Sequence, residues 1–169
     1  MVFGLSLETY TLIHVVISLV AIVAGFIVLF GLLAGKRLDG WTALFLVTTV
    51  LTCAGGYAFP FHKLLPSHII GAICLVVLLI AMLARYTFRL AGAWRWLYVM
   101  SATLALYLNV FVLVFQGFLK VPALKAAAPT QSEPPFLVAQ LTVLVLFIVL
   151  TILAVRKFHE PVRAAGSRR

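Results

Sequence analysis

Two histidines, three amides and a tyrosine carry most of the polar chemistry available inside an otherwise apolar chain. His14 and His68 each follow the start of an apolar run, and Asn109 and Gln116 stand seven residues apart in another. Seven residues is close to two helical turns, so both amides fall on one face. Tyr107 and Gln140 lie at comparable levels in their own runs. Two imidazoles at matching depth can ligate a haem iron through both axial positions. Amides, imidazoles and a phenol on apolar walls can equally hydrogen-bond a quinone, a lipid or another small amphiphile. The same groups can simply bridge neighbouring helices. The residues leave these three readings open.

The elements that must position these groups are read from hydropathy. Hydrophobic residues make up 64% of the 169-residue chain. A bilayer core takes about 20 helical residues to cross, and five apolar runs meet that length, at 9–35, 41–60, 66–84, 96–119 and 136–155. The sequence therefore predicts an all-α polytopic bundle of five transmembrane helices, the whole domain running over 1–158.

Charge orients it. Of the thirteen Lys and Arg residues, Lys36, Arg37, Arg85, Arg89, Arg95, Arg156, Lys157, Arg163, Arg168 and Arg169 fall on one side of this threading. Only Lys63, Lys120 and Lys125 fall on the other. Short loops rich in Lys and Arg stay in the cytoplasm, so the N-terminus is expected outside and the C-terminus inside, with 159–169 a basic cytoplasmic tail. The head, 1–8, carries no Lys or Arg and precedes a run longer than a signal peptide's apolar region, which reads as an uncleaved first span. The formal net charge of +9 is scattered over loops, not gathered on one folded face. Anionic lipid headgroups account for it, and nucleic acid is not an expected partner.

Within the spans, polar side chains are costly and mark function or interhelical contact. They gather in the outer half. Ala102, Ala105, Asn109, Val112 and Gln116 follow a 3-4-3-4 step, as do His14, Ser18, Ala21 and Gly25. Both stripes should face the bundle interior. The inner half offers Ser and Thr hydroxyls, which can bond back to their own helix. Placing His14 over His68 also aligns Lys36 with Arg89 and Trp41 with Trp94 to within a residue or two. That offset suggests a parallel two-span repeat, which would set the two imidazoles across a pseudo-axis.

The connections are short except one. Residues 121–135 hold Pro122, Pro129, Pro134 and Pro135, and read as an irregular Pro-rich outer loop. Its polar stretch, Gln131 and Glu133 included, is a candidate contact for a periplasmic or membrane protein partner. Trp94, Trp96 and Tyr98 are expected at headgroup level. Cys53 and Cys74, both inside spans, read as packing residues. Every acidic residue lies in a loop or at an end, which weakens a proton-coupled transporter, and no phosphate loop, metalloprotease motif or catalytic triad is present.

Three stretches carry a family likeness: GGYAFPFHKLLPSH from Gly55, LAGAWRWLY from Leu90, and NVFVLVFQGFLKVPALKAAAPTQSEPPF from Asn109. They resemble an uncharacterised family of small bacterial multi-pass inner-membrane proteins. The resemblance implies that location and no activity. The expected function is thus an inner-membrane protein, not an enzyme by preference, holding a small hydrophobic ligand near His14, His68, Asn109, Gln116, Tyr107 and Gln140. The sharper alternative is a b-type haem or quinone redox protein.

Overall fold

The computed structural model describes residues 4–59 and 66–158, with backbone alone for Pro66 and Ser67. His62, Lys63 and the basic tail lie outside the described residues. The chain is all-helical, without a strand among the described residues. Five long helices succeed one another: α1 (Leu7–Leu33), α2 (Asp39–Gly56), α3 (Pro66–Met82), α4 (Ala93–Lys120) and α6 (Pro134–Lys157), with a short α5 (Pro122–Ala127) between the last two. Four helical stretches, Leu7–Leu33, His68–Thr87, Ala93–Lys120 and Pro134–Lys157, are long and apolar enough to cross a membrane. The remaining long helix, α2, is 18 residues and is diluted by Asp39 and four threonines.

Local chemistry sets the ends. Ser6 caps α1 by accepting from the Thr9 amide at 3.1 Å, meeting an otherwise orphan donor. At the other end Gly35 takes φ +67°, while Lys36 N–H reaches Gly31 O and Gly35 N–H reaches Leu32 O. This double closure needs a left-handed residue, which glycine adopts without a Cβ penalty. Helix α3 ends in one π-helical turn, Leu83–Thr87, followed by left-handed Arg89 and Leu90. The wider turn swings Arg85 inward.

The loop at 121–135 departs from expectation. Pro122 opens a six-residue helix and Pro134 opens α6, because a first-turn proline has no intrahelical N–H bond to lose. Proline here starts helices where it was expected to forbid them.

Sequential helices run antiparallel. Tyr10 meets Gly55, Gly25 faces Phe45, and Gly31 faces Leu38, pairing α1 with α2 along its length. Gly71 approaches Cys53 and Arg85 meets Asp39, pairing α2 with α3. Thr103 with Thr151, and Phe111 with Gln140, pair α4 with α6. Helices α1 and α3 therefore run in the same direction on either side of α2.

The core is thickest toward the end that carries Lys36, Arg85, Arg95 and Lys157. Phe45, Leu29, Leu78, Leu106, Tyr98 and Phe158 are all essentially inaccessible there. Asp39 holds Arg37 at 3.7 Å and also pairs with Arg85. Arg85 is itself buried, its guanidinium 5.2 Å from the centre of the Tyr98 ring. Tyr98 was expected among headgroups and is instead fully buried beneath that cation, its hydroxyl 3.4 Å from Thr42. The outward faces are the reverse of a soluble protein's. Leu12, Val23, Phe30, Val47, Val76 and Leu141 are exposed, as side chains that meet acyl chains should be.

Candidate functional site

Four helices leave a cavity at the end opposite the arginines. It measures about 680 Å³ and is walled by α1, α2, α3 and α4. His14 and Ser18 come from α1, His68 from α3, and Asn109 and Gln116 from α4. Leu19, Ile22, Ile70 and Val112 supply apolar wall. At a rise of about 1.5 Å per residue, His14 lies about 10 Å inward from the start of α1, and Asn109 about 16 Å inward from the end of α4.

The reason for the space is visible in the residues. Gly56 lines the cavity without side-chain bulk, an added Cβ meeting nothing within 4 Å, while Gly55 lets Tyr10 and His14 pack close on α2, where a Cβ would stand 3.2 Å from the Tyr10 hydroxyl. Tyr10 donates to Gly55 O at 2.9 Å, and Tyr57 donates to His68 O at 2.5 Å. These bonds tie the helix ends together while the interior between them stays open. His14 packs edge-on against Phe59, ring centres 5.2 Å apart. Its ring makes no hydrogen bond with another described residue. His68 is buried and its ring lies 5.5 Å from that of Tyr57.

The amides differ in how far they are satisfied. Asn109 Nδ2 points to Thr49 Oγ1 at a long 3.4 Å. Gln116 Oε1 is buried and has no hydrogen-bond partner among the described residues. An unmet acceptor in a low-dielectric wall costs roughly 1–3 kcal/mol, a deficit that a donor would remove once the amide turns toward it.

The other sequence candidates lie elsewhere. Tyr107 turns away from the cavity and packs against Phe111 and Phe147, ring centres 6.2 and 5.7 Å apart. It lines a separate apolar groove of about 400 Å³ between α3, α4 and α6. Gln140 is buried against α4, Nε2 donating to Phe111 O at 3.1 Å while its Oε1 stays unmatched. Of the six candidates, His14, His68, Asn109 and Gln116 share one cavity.

Three wall residues lay outside that set. Lys120 stands one turn beyond Gln116 on the same face, a spacing visible in the sequence. Cys53 and Cys74 line the cavity from α2 and α3, both as free thiols. Nothing in their separate positions announced that they share one cavity. No group of three or more His, Cys, Asp or Glu side chains among the described residues is arranged to hold a metal ion.

No protein-family model, curated protein or solved structure matches this chain. Function is therefore argued from the cavity.

Hydroxyls in the deeper half behave as expected of structural groups. Thr49 donates to Phe45 O at 2.7 Å, Thr103 to Val99 O at 2.8 Å and Ser101 to Leu97 O at 2.6 Å. Each is satisfied one turn back on its own helix.

Proposed function

We propose that the chain is a five-span protein of a bacterial inner membrane, N-terminus outside, that holds a small hydrophobic ligand in the outer half of its bundle. Kinship with the uncharacterised inner-membrane family is part of the same proposal. The fifth crossing is argued from direction. Helices α1 and α3 run the same way, so if both cross, the chain between them must return, and α2 is the segment that does. Its 18 residues reach about 27 Å, close to a hydrocarbon core of roughly 30 Å. Orientation follows from the basic residues at the α1–α2, α3–α4 and α6 ends.

One observation carries the ligand reading. The amide of Gln116, its buried Oε1 unpartnered among the described residues, lines a cavity with apolar walls and several further polar groups. This combination of few polar anchors on greasy walls is what small-molecule sites present, and membrane lipids are the surrounding supply. The ligand makes the protein an accessory or carrier component more readily than an enzyme. A periplasmic or membrane partner at the outer loop is a further part of the proposal, supported by the ordered turn at Thr130–Glu133.

A redox reading is favoured by a different observation. His14 and His68 stand in one cavity wall on helices of the same direction, which suits b-type haem ligation or hydrogen bonding to a quinone. Absorption spectroscopy of the purified protein separates the readings. A Soret band lost in both His14→Ala and His68→Ala would make haem the ligand. A colourless preparation whose organic extract yields one enriched lipid or quinone is the expected result. An extract indistinguishable from bulk membrane lipid would refute the ligand site.

A further inference from the structure

We propose that the ligand of this cavity is an amphiphile with an anionic headgroup, a carboxylate or a phosphate, seated at Lys120 with its tail along the apolar wall below. The inference rests on the ligand reading above and adds the sign of the headgroup. Among the described residues Lys120 is the one charged side chain in the cavity wall, and no carboxylate lines it. Its ammonium lies within electrostatic reach of His14. Among the described residues Lys120 takes part in no ion pair.

The acids that might have answered it are elsewhere. Asp39 is held by Arg37 and Arg85 at the opposite end. Glu133 accepts from the amides of Thr130 and Ser132 and from the Thr130 hydroxyl. Glu8 does not line the cavity. A cation at the mouth of a low-dielectric cleft, without a counter-charge, focuses a positive potential into it. Below Lys120 on the same face of α4 come Gln116 and then Asn109, with Val112 between them, while Leu19 and Ile22 carry the apolar wall of α1 to about the depth of Asn109 and beyond it. Charge at the top, amides beneath and aliphatic surface at the bottom match a headgroup joined to a chain. A lysine that merely snorkels to lipid headgroups would show no preference among guests of the cavity.

The test is equilibrium binding of radiolabelled oleate to the full chain in a non-ionic detergent. Saturable oleate binding is expected, displaced by 1-oleoyl lysophosphatidate but about tenfold less well by oleyl alcohol, in keeping with loss of a charge-assisted hydrogen bond. Butyrate, a headgroup without a chain, is expected not to compete. Lys120→Gln should weaken oleate about tenfold, Lys120→Arg should retain it, and Lys125→Gln, outside the cavity, should leave it unchanged. Equal displacement by oleyl alcohol together with an unaffected Lys120→Gln would overturn the anionic headgroup and leave the cavity reading standing. Butyrate competing as well as oleate would assign the site to a soluble anion and overturn the amphiphile. No saturable binding of any probe would overturn both.

Discussion

At the scale of single residues, the bundle depends on a few close approaches and one buried cation. A Cβ on Gly25 would stand 2.5 Å from Leu106 Cδ1 and 2.9 Å from Phe45 Cε2, and both neighbours are fully buried. Neither can move without displacing core. Gly25→Ala is therefore expected to destabilise by about 1–3 kcal/mol, the usual cost of overpacking, measured by unfolding in mixed micelles. Gly40, whose added Cβ would meet nothing within 4 Å, is the control and should change little. The Asp39–Arg85 pair is asymmetric, with side-chain exposures of 72% and 3%. Removing the acid strands a buried charge, whereas removing the base leaves an aspartate in water. Asp39→Asn should cost about 1–3 kcal/mol, below the range for fully buried pairs because its carboxylate is solvated. Adding Arg85→Met should recover part of the loss. Much at this scale was legible in the residues themselves. The alternation that aligns Asn109 with Gln116 also aligns Lys120, and Tyr107, two positions from Asn109, lies about 200° round the helix. Its absence from the cavity was thus implicit in the sequence. Partnerships between distant segments, such as Gln140 with the Phe111 carbonyl, depend on helix rotation and register, which hydropathy does not encode.

At the scale of elements, the long helices were readable and their junctions were not. Five apolar runs became five long helices with ends shifted by a few residues, four of them long and apolar enough to cross a membrane, where the backbone must be satisfied within the segment. The π-helical turn at Leu83–Thr87, which carries the buried Arg85, has no such compositional signal. The short α5 was missed because a run of prolines marks where helices cannot continue and says less about where they begin. The turn that follows α5 yields a pH prediction. Partial desolvation would raise the Glu133 carboxyl, but hydrogen bonds from Thr130 and Ser132 outweigh it and hold the group below its ordinary value. A lowered folded value means the turn gains from ionisation above the ordinary carboxylate range and loses that gain as pH falls through the lowered one. Protection of the Thr130 and Ser132 amides, measured as exchange relative to the intrinsic rate at each pH, should therefore fall as pH drops below the ordinary carboxylate range, and Glu133→Gln should remove most of that pH dependence. Protection that stays flat with pH would contradict the assignment.

At the scale of the whole molecule, the bundle is polarised along its axis. One end is a dense core locked by Asp39, Arg85 and Tyr98, and the other holds a cavity with mixed walls among α1, α2, α3 and α4. Orientation is tested by cysteine labelling in a background where Cys53 and Cys74 are alanine. A cysteine at Ser6 should react with a membrane-impermeant maleimide in intact cells, and one at Lys36 only after permeabilisation. The reverse pattern would invert the topology and move the cavity to the cytoplasmic side. The central claim is that the cavity holds a molecule, and its most direct measurement is mass spectrometry of organic extracts from three purified proteins. Wild type should carry one species in fixed proportion to protein. Ser18→Phe, which projects a ring into the cavity beside His14, should reduce it, while Leu104→Phe, in the separate apolar groove, should keep it. The same extract from all three proteins would contradict the claim.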